Sequence, residues 1–192
     1  MQTPRSLLER LRSDPDAEAW ERLVTLYTPW LGQVLQRAGI ASPDRDDLQQ
    51  EVLATLVREM PQFEHNGRTG AFRSWLRIIV VNRLQMYWRT KRSAEQRIDG
   101  RRDVAELISP ISDLEAFWDR EHDRHLTQEL LKLVEPSFSQ TVWQAFRRQM
   151  LDGKRAAVVA EELGISVNAA LLAKSRVLQR LRGEAEGLID DI

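Results

Sequence analysis

The chain has 192 residues, of which 42% are hydrophobic and 30% charged, with a formal net charge of −1 and no cysteine. This is the composition of a folded, soluble protein, long enough for one large domain or two small ones. It excludes disulfides, thiolate catalysis and cysteine-based zinc sites, and it offers no apolar run near the roughly 20 residues that span a bilayer.

The N-terminus, MQTPRSLLERLRSDPD, lacks the apolar core and small-residue cleavage site of a signal peptide, so a cytoplasmic location without membrane insertion is expected. Trp20, Leu23, Val24, Tyr27, Trp30, Leu31, Val34 and Leu35 then recur at spacings of three and four, which predicts an amphipathic helix or helix pair. Pro29 is a point where that helix would kink or break. The stretch AGIASPDRDD predicts a turn near 39–44. Leu48, Val52, Leu56 and Met60 form the stripe of the next helix, widened by Leu53 and Val57. Asp44, Asp46 and Asp47 suit the positive end of its dipole, and Pro61 ends it. Residues 44–64 hold six acids and two arginines, a net −4.

The next segment reverses that charge. Residues 65–92 hold seven Lys/Arg and no Asp or Glu, together with Phe72, Trp75, Tyr87 and Trp88. After a glycine-containing loop, Phe72 to about Arg89 reads as one helix. At about 100° per residue, Phe72, Trp75, Leu76, Ile79, Val80, Met86 and Tyr87 share a core face, while Arg73, Arg77, Val81, Gln85 and Trp88 lie opposite. Arg83 points into the apolar stripe and is expected to pair with an acid from a neighbouring helix, since a buried unpaired charge is costly.

Residues 94–125 are polar and broken by Gly100 and Pro110, and read as an acidic linker of partial helical character. His122 and His125 lie near Glu121 and Glu129 at spacings a metal site could use, but in so polar a stretch they are expected to be solvated. No metal or cofactor is expected. No Ser/His/Asp set or glycine-rich phosphate loop stands out either, so the chain is not expected to be an enzyme.

Helical periodicity returns from Leu126, and residues 147–182 hold eight bases against three acids, a net +5. Within KRAAVVAEELGISVNAALLAKSRVLQRLR (154–182), small residues serve a first helix, Gly164 supplies a left-handed turn, Ile165 plugs the crossing and Ser166 caps a second helix. This is the pattern of a helix-turn-helix whose second helix would enter a DNA major groove. The fold class expected is all-α: a first domain at 1–93, the linker at 94–125 and a second domain at 126–192.

These parts together resemble a bacterial RNA polymerase sigma factor of the sigma-70 family, extracytoplasmic-function (ECF) type. DRDDLQQEVLATLVREMPQF (44–63) resembles region 2.2, FRSWLRIIVVNRLQMYWR (72–89) resembles regions 2.3 and 2.4, and residues 138–182 resemble region 4. The resemblance implies promoter-specific transcription initiation, in which −10 and −35 elements are recognised and the duplex is opened. Its implied partners are core RNA polymerase, through the β′ clamp and β flap, promoter DNA and an anti-sigma factor. It assigns polymerase docking to Asp47, Leu48, Gln50 and Glu51. Contacts to the −10 element fall to Asn66 and Arg68 in the loop, to Asn82, and to Arg73, Arg77, Trp88, Arg89 and Arg92. Cations attract phosphate, and aromatic faces and shaped pockets receive unstacked bases. Contacts to the −35 duplex fall to Arg155, Ser166, Asn168, Lys174, Ser175 and Arg176.

One departure bears on that last set. Most members carry a Lys-Ser-Arg triplet where this chain has Leu171, Leu172 and Ala173, and its own AKSR comes later, at 173–176. Either the helix docks in another register or it makes fewer base-edge contacts and relies more on DNA shape. Two other functions fit parts of the sequence: a helix-turn-helix regulator without sigma activity, and a sigma-derived module that binds polymerase or an anti-sigma partner. The regulator has no need of an acidic helix followed by a basic, aromatic, acid-free one.

Overall fold

The computed structural model describes residues 6–13, 17–64, 70–99 and 108–189, and their side chains apart from those of 94–99 and 108–113. Eight α-helices follow in order among them: α1 (Leu7–Ser13), α2 (Ala17–Arg37), α3 (Asp44–Glu59), α4 (Ala71–Asp99), α5 (Ile108–Val134), α6 (Gln140–Met150), α7 (Ala156–Leu163) and α8 (Val167–Ala185). Short 3-10 turns at Met60–Gln62 and Glu135–Ser137 close α3 and α5.

Helix α2 runs through Pro29 without a break. A proline inside a helix costs about 3 kcal/mol, because its N–H is missing and its ring crowds the preceding turn. Apolar burial around it offsets that cost: Leu26, Tyr27, Trp30 and Leu31 are each at most 1% exposed. Val24, expected on the same stripe, lies partly in solvent. Helix α3 buries Leu48, Val52, Thr55 and Leu56 and carries three aspartates in its first turn. Helix α4 buries Phe72, Leu76, Ile79, Val80 and Leu84. Met86, expected on that core face, is 56% exposed. Two residues after Leu84 it has rotated through about 200°, away from the core.

The segment read as an acidic linker is helical at both of its described ends, as the last turns of α4 and the first of α5. The 125/126 boundary falls within α5, which continues to Val134. Along α5, Leu114, Trp118, His122, Leu126 and Leu130 are buried at every fourth position and form one face. That face packs on α2 around Trp30, whose ring stacks on Phe117 at 5.3 Å and meets Trp118 edge-on at 5.4 Å. His122 and His125 complete the shell at 5.7 and 5.4 Å from the Trp30 ring. The expectation that these histidines are solvated is therefore wrong: they are 0% and 8% exposed. Spacings of four from Trp118 to His122 and three from His122 to His125 place them on the apolar face, and an imidazole among tryptophans buries most of its ring.

One contiguous cluster of buried side chains runs from Leu7 in α1 to Ile189 after α8. A small second cluster holds Ala145, Val159, Ala160, Ala170 and Ala173 beneath the α6, α7 and α8 crossing. The end of α8 is tied to α2 by Glu184, which takes Arg22 and Arg180 at 2.7 Å each and is itself 8% exposed on its side chain. Beyond it Gly187 sits at φ +81°, where a Cβ would come within 2.9 Å of Leu8 Cδ1. A glycine therefore lets the chain turn tightly against α1.

Candidate polymerase and nucleic-acid surfaces

The two charged blocks of the first half lie on adjacent helices. Between α3 and α4 runs a groove of about 400 Å³ lined by Asp44, Asp47, Leu48, Glu51, Arg83, Met86, Tyr87 and Thr90. Three carboxylates and one guanidinium line it, and so does Leu48, only 4% exposed. Of the four residues assigned to polymerase docking, Asp47, Gln50 and Glu51 are exposed and Leu48 supports them from beneath. Arg83 behaves as its position in the apolar stripe required. Its guanidinium donates to Thr55 Oγ1 at 2.7 Å and lies 3.9 Å from Glu51 Oε2. Tyr87 donates its hydroxyl to Asp44 Oδ2 at 2.6 Å. Burial and that bond raise the Tyr87 phenol above its ordinary pKa, so it stays a neutral donor.

On α4 the residues assigned to −10 DNA divide into two groups. Asn82 and Arg89 are exposed on the open face, with Ile78 and Gln85 near them. Trp88 is half-buried, edge-on to Tyr87 at 5.1 Å with Lys91 5.7 Å from its ring, so it is less solvated than its polar neighbours suggested. Arg92 is partly exposed. Arg73 and Arg77 lie along the edge that faces α5. Arg73 Nη1 meets Asp123 Oδ2 at 3.1 Å, and Arg77 Nη1 meets Asp119 Oδ1 at 3.2 Å. Asn66 and Arg68 lie outside the described residues.

The Arg73 pair has a buried support that sequence reasoning missed. His122 Nδ1–H donates to Asp123 Oδ1 at 2.7 Å, and His122 Nε2 lies 3.4 Å from the Tyr27 hydroxyl. The His122 hydrogen bond, helped by Arg73, holds the Asp123 carboxyl below its ordinary pKa. Burial raises the Tyr27 phenol well above its own, and the Asp123 charge adds to that. Asp123 thus stays ionised and fixed toward α4. The i, i+4 stripe of α5 was the available signal for this arrangement.

In the second half, α7 and α8 cross at 107°. Gly164, at φ 64° and ψ 34°, ends α7. Its N–H donates to Glu161 O at 3.3 Å and that of Ile165 to Ala160 O at 3.0 Å, which satisfies two terminal carbonyls. Ser166 then caps α8 by accepting from Ala169 N–H at 3.1 Å. This places Ser166 in a structural role, because its oxygen already serves the helix. Gln149 clamps the crossing, donating to the carbonyls of Ala145 and Ala170 at 2.8 Å each. Arg155 precedes α7, while Asn168, Ser175 and Arg176 are exposed along α8 and Lys174 is partly exposed. Arg148 and Lys154 are both held by Glu162, at 2.7 and 2.6 Å.

No curated protein matches the chain. Residues 23–94 match the family model for sigma-70 region 2. The match runs from within α2 through α3 and into α4, and so takes in both the acidic groove and the basic face. Domains of this kind are non-catalytic and engage core RNA polymerase and promoter DNA. Residues 23–94 are thus similar to sigma-70 region 2, a likeness that supports a place in the sigma-70 family.

Proposed function

We propose that the chain is a promoter-specificity factor of the minimal ECF type, acting in the cytoplasm with core RNA polymerase. In this reading the α3–α4 groove docks a basic helical element of the polymerase clamp through Asp47, Gln50 and Glu51. The open face of α4, with Asn82 and Arg89, meets the −10 element as it opens. The α7–α8 pair is a helix-turn-helix that binds the −35 duplex, and an anti-sigma factor is a further expected partner.

The observation that carries this reading is the juxtaposition within residues 23–94 of an acidic groove and the acid-free basic part of α4. A polymerase adaptor must bind a protein on one face and a polyanion on the next. Segregating opposite charges on adjacent helices lets each partner be attracted without repelling the other.

The test is run-off transcription with purified chain, bacterial core polymerase and a pool of promoter fragments. Transcripts that share a start and a common pair of upstream elements support the reading. Polymerase binding without initiation favours the interaction module. Retention of duplex DNA without polymerase binding favours the plain regulator.

A further inference from the structure

The first turns of α8 carry an unusual surface. Val167, Leu171 and Leu172 are 47%, 51% and 45% exposed, although their neighbours Ala170 and Ala173 are buried. The helix therefore has a satisfied inner face, and Leu171 and Leu172 lie outside it. Single exposed leucines need no explanation. Here three apolar side chains share one face with exposed Asn168, Ser175 and Arg176. The crossing that presents them is rigid, held by the Gly164 turn, the Ser166 cap and the Gln149 clamp.

The charge around this face selects the occupant. No acid occurs from Gly164 to Arg182, while Lys174, Arg176, Arg180 and Arg182 do. Of the two acids at the end of α7, Glu162 is paired with Arg148 and Lys154, while Glu161 is exposed one turn before the Gly164 bend. Arg155 stands exposed at the start of α7. An apolar strip edged by cations fits a polyanion that displays apolar groups at the bottom of a groove. In the DNA major groove the apolar group on a base edge is the thymine C5-methyl, and asparagine pairs with adenine through N6 and N7.

We infer that α8 reads its duplex by seating thymine methyl groups against Leu171 and Leu172, with Asn168 specifying an adjacent adenine. This rests on the placement of the helix-turn-helix at duplex DNA proposed above. It deepens that placement by naming what is read.

The experiment uses the full chain with core polymerase and a duplex recovered by promoter selection. Each thymine of the upstream element is replaced in turn by deoxyuridine, which removes only the methyl. At one or two positions affinity is expected to fall about fourfold, the effect of exposing one buried methyl. Leu171→Ala or Leu172→Ala is expected to weaken binding to the thymine duplex and to abolish the penalty at its own position. Both residues are exposed, and a thermal melt checks that the fold is intact.

Unchanged affinity for every uracil-substituted duplex overturns the inference, as does a leucine variant that keeps the full penalty. These outcomes leave initiation itself intact. Failure to initiate transcription, with uracil-sensitive duplex binding preserved, removes the sigma reading and leaves this one standing. Failure to retain any duplex removes both.

Discussion

Two surfaces of the molecule carry the cations and the aromatic or apolar groups that a nucleic acid requires, and they differ in what covers them. On α4, Arg73 and Arg77 are already paired with carboxylates of α5, at 3.1 and 3.2 Å. On α8, Leu171 and Leu172 face solvent. The difference follows from where each surface lies. α5 is pinned against α2 by a buried face that includes Trp118 and His122, and its next positions fall beside α4. Among the described residues, no helix covers Leu171 and Leu172 in the first turns of α8. Under the proposed function, DNA reaching that edge of α4 would have to displace Asp119 and Asp123 from the two arginines. Among the described residues, the exposed leucines of α8 carry no such cover.

The largest change expected to break this contrast is Trp118→Ala. It removes a fully buried indole that packs on Trp30, and thermal or denaturant unfolding should show a loss of about 3–5 kcal/mol. The double substitution Leu171→Ala and Leu172→Ala, on exposed positions, should move stability by no more than about 0.5 kcal/mol each. Similar losses in the two variants would mean that α8 is covered as α5 is. Glu184→Gln comes next. It removes the charge that Arg22 and Arg180 share, and because Arg22 keeps Glu18 at 2.7 Å the cost should be about 1–2 kcal/mol.

A smaller effect sharpens the contrast directly. Asp119→Asn with Asp123→Asn removes the carboxylates that compete for Arg73 and Arg77. Such partly exposed pairs are each worth up to about 1 kcal/mol, so affinity for single-stranded DNA should rise several-fold at low salt while stability falls by no more than about that amount per pair. Unchanged affinity would show that this edge of α4 takes no part in binding.

The smallest effect is a dependence on pH. Burial holds the His125 imidazole below its ordinary pKa against the charge of Glu129, with His122 and Lys132 acting in the same direction as burial. A histidine whose folded pKa is depressed is protonated first in the unfolded chain. Its contribution is present above about pH 6.5 and is lost as pH falls toward the folded value. The melting temperature should therefore drop on mild acidification, and His125→Gln should flatten that drop. Asp123, also depressed, loses its contribution only at more acid pH, below the ordinary carboxylate range. A melting curve that rises on mild acidification would contradict the burial of His125.

Much of this was legible without coordinates. The stripe Leu48, Val52, Leu56 required α3, and the misfit of Arg83 in an apolar stripe required a partner, which Thr55 and Glu51 supply. Gly164, Ile165 and Ser166 announced a turn because each has a single good use there. The face of α5 was harder to see. Its stripe passes through His122 amid charges, and an imidazole reads as polar until a tryptophan is placed on it. Met86 misled because its position on the stripe falls at the α3–α4 groove, where it stays 56% exposed.

The sequence by itself determined the helices and the segregation of charge, since both depend on residues a few positions apart in the chain. Which arginines are held and which surfaces stay open was decided only by the tertiary structure. Arg73 and Asp123 lie 50 residues apart, and nothing local to either dictates that they meet. They are brought together by the packing of α5 on α2, through contacts that neither residue makes.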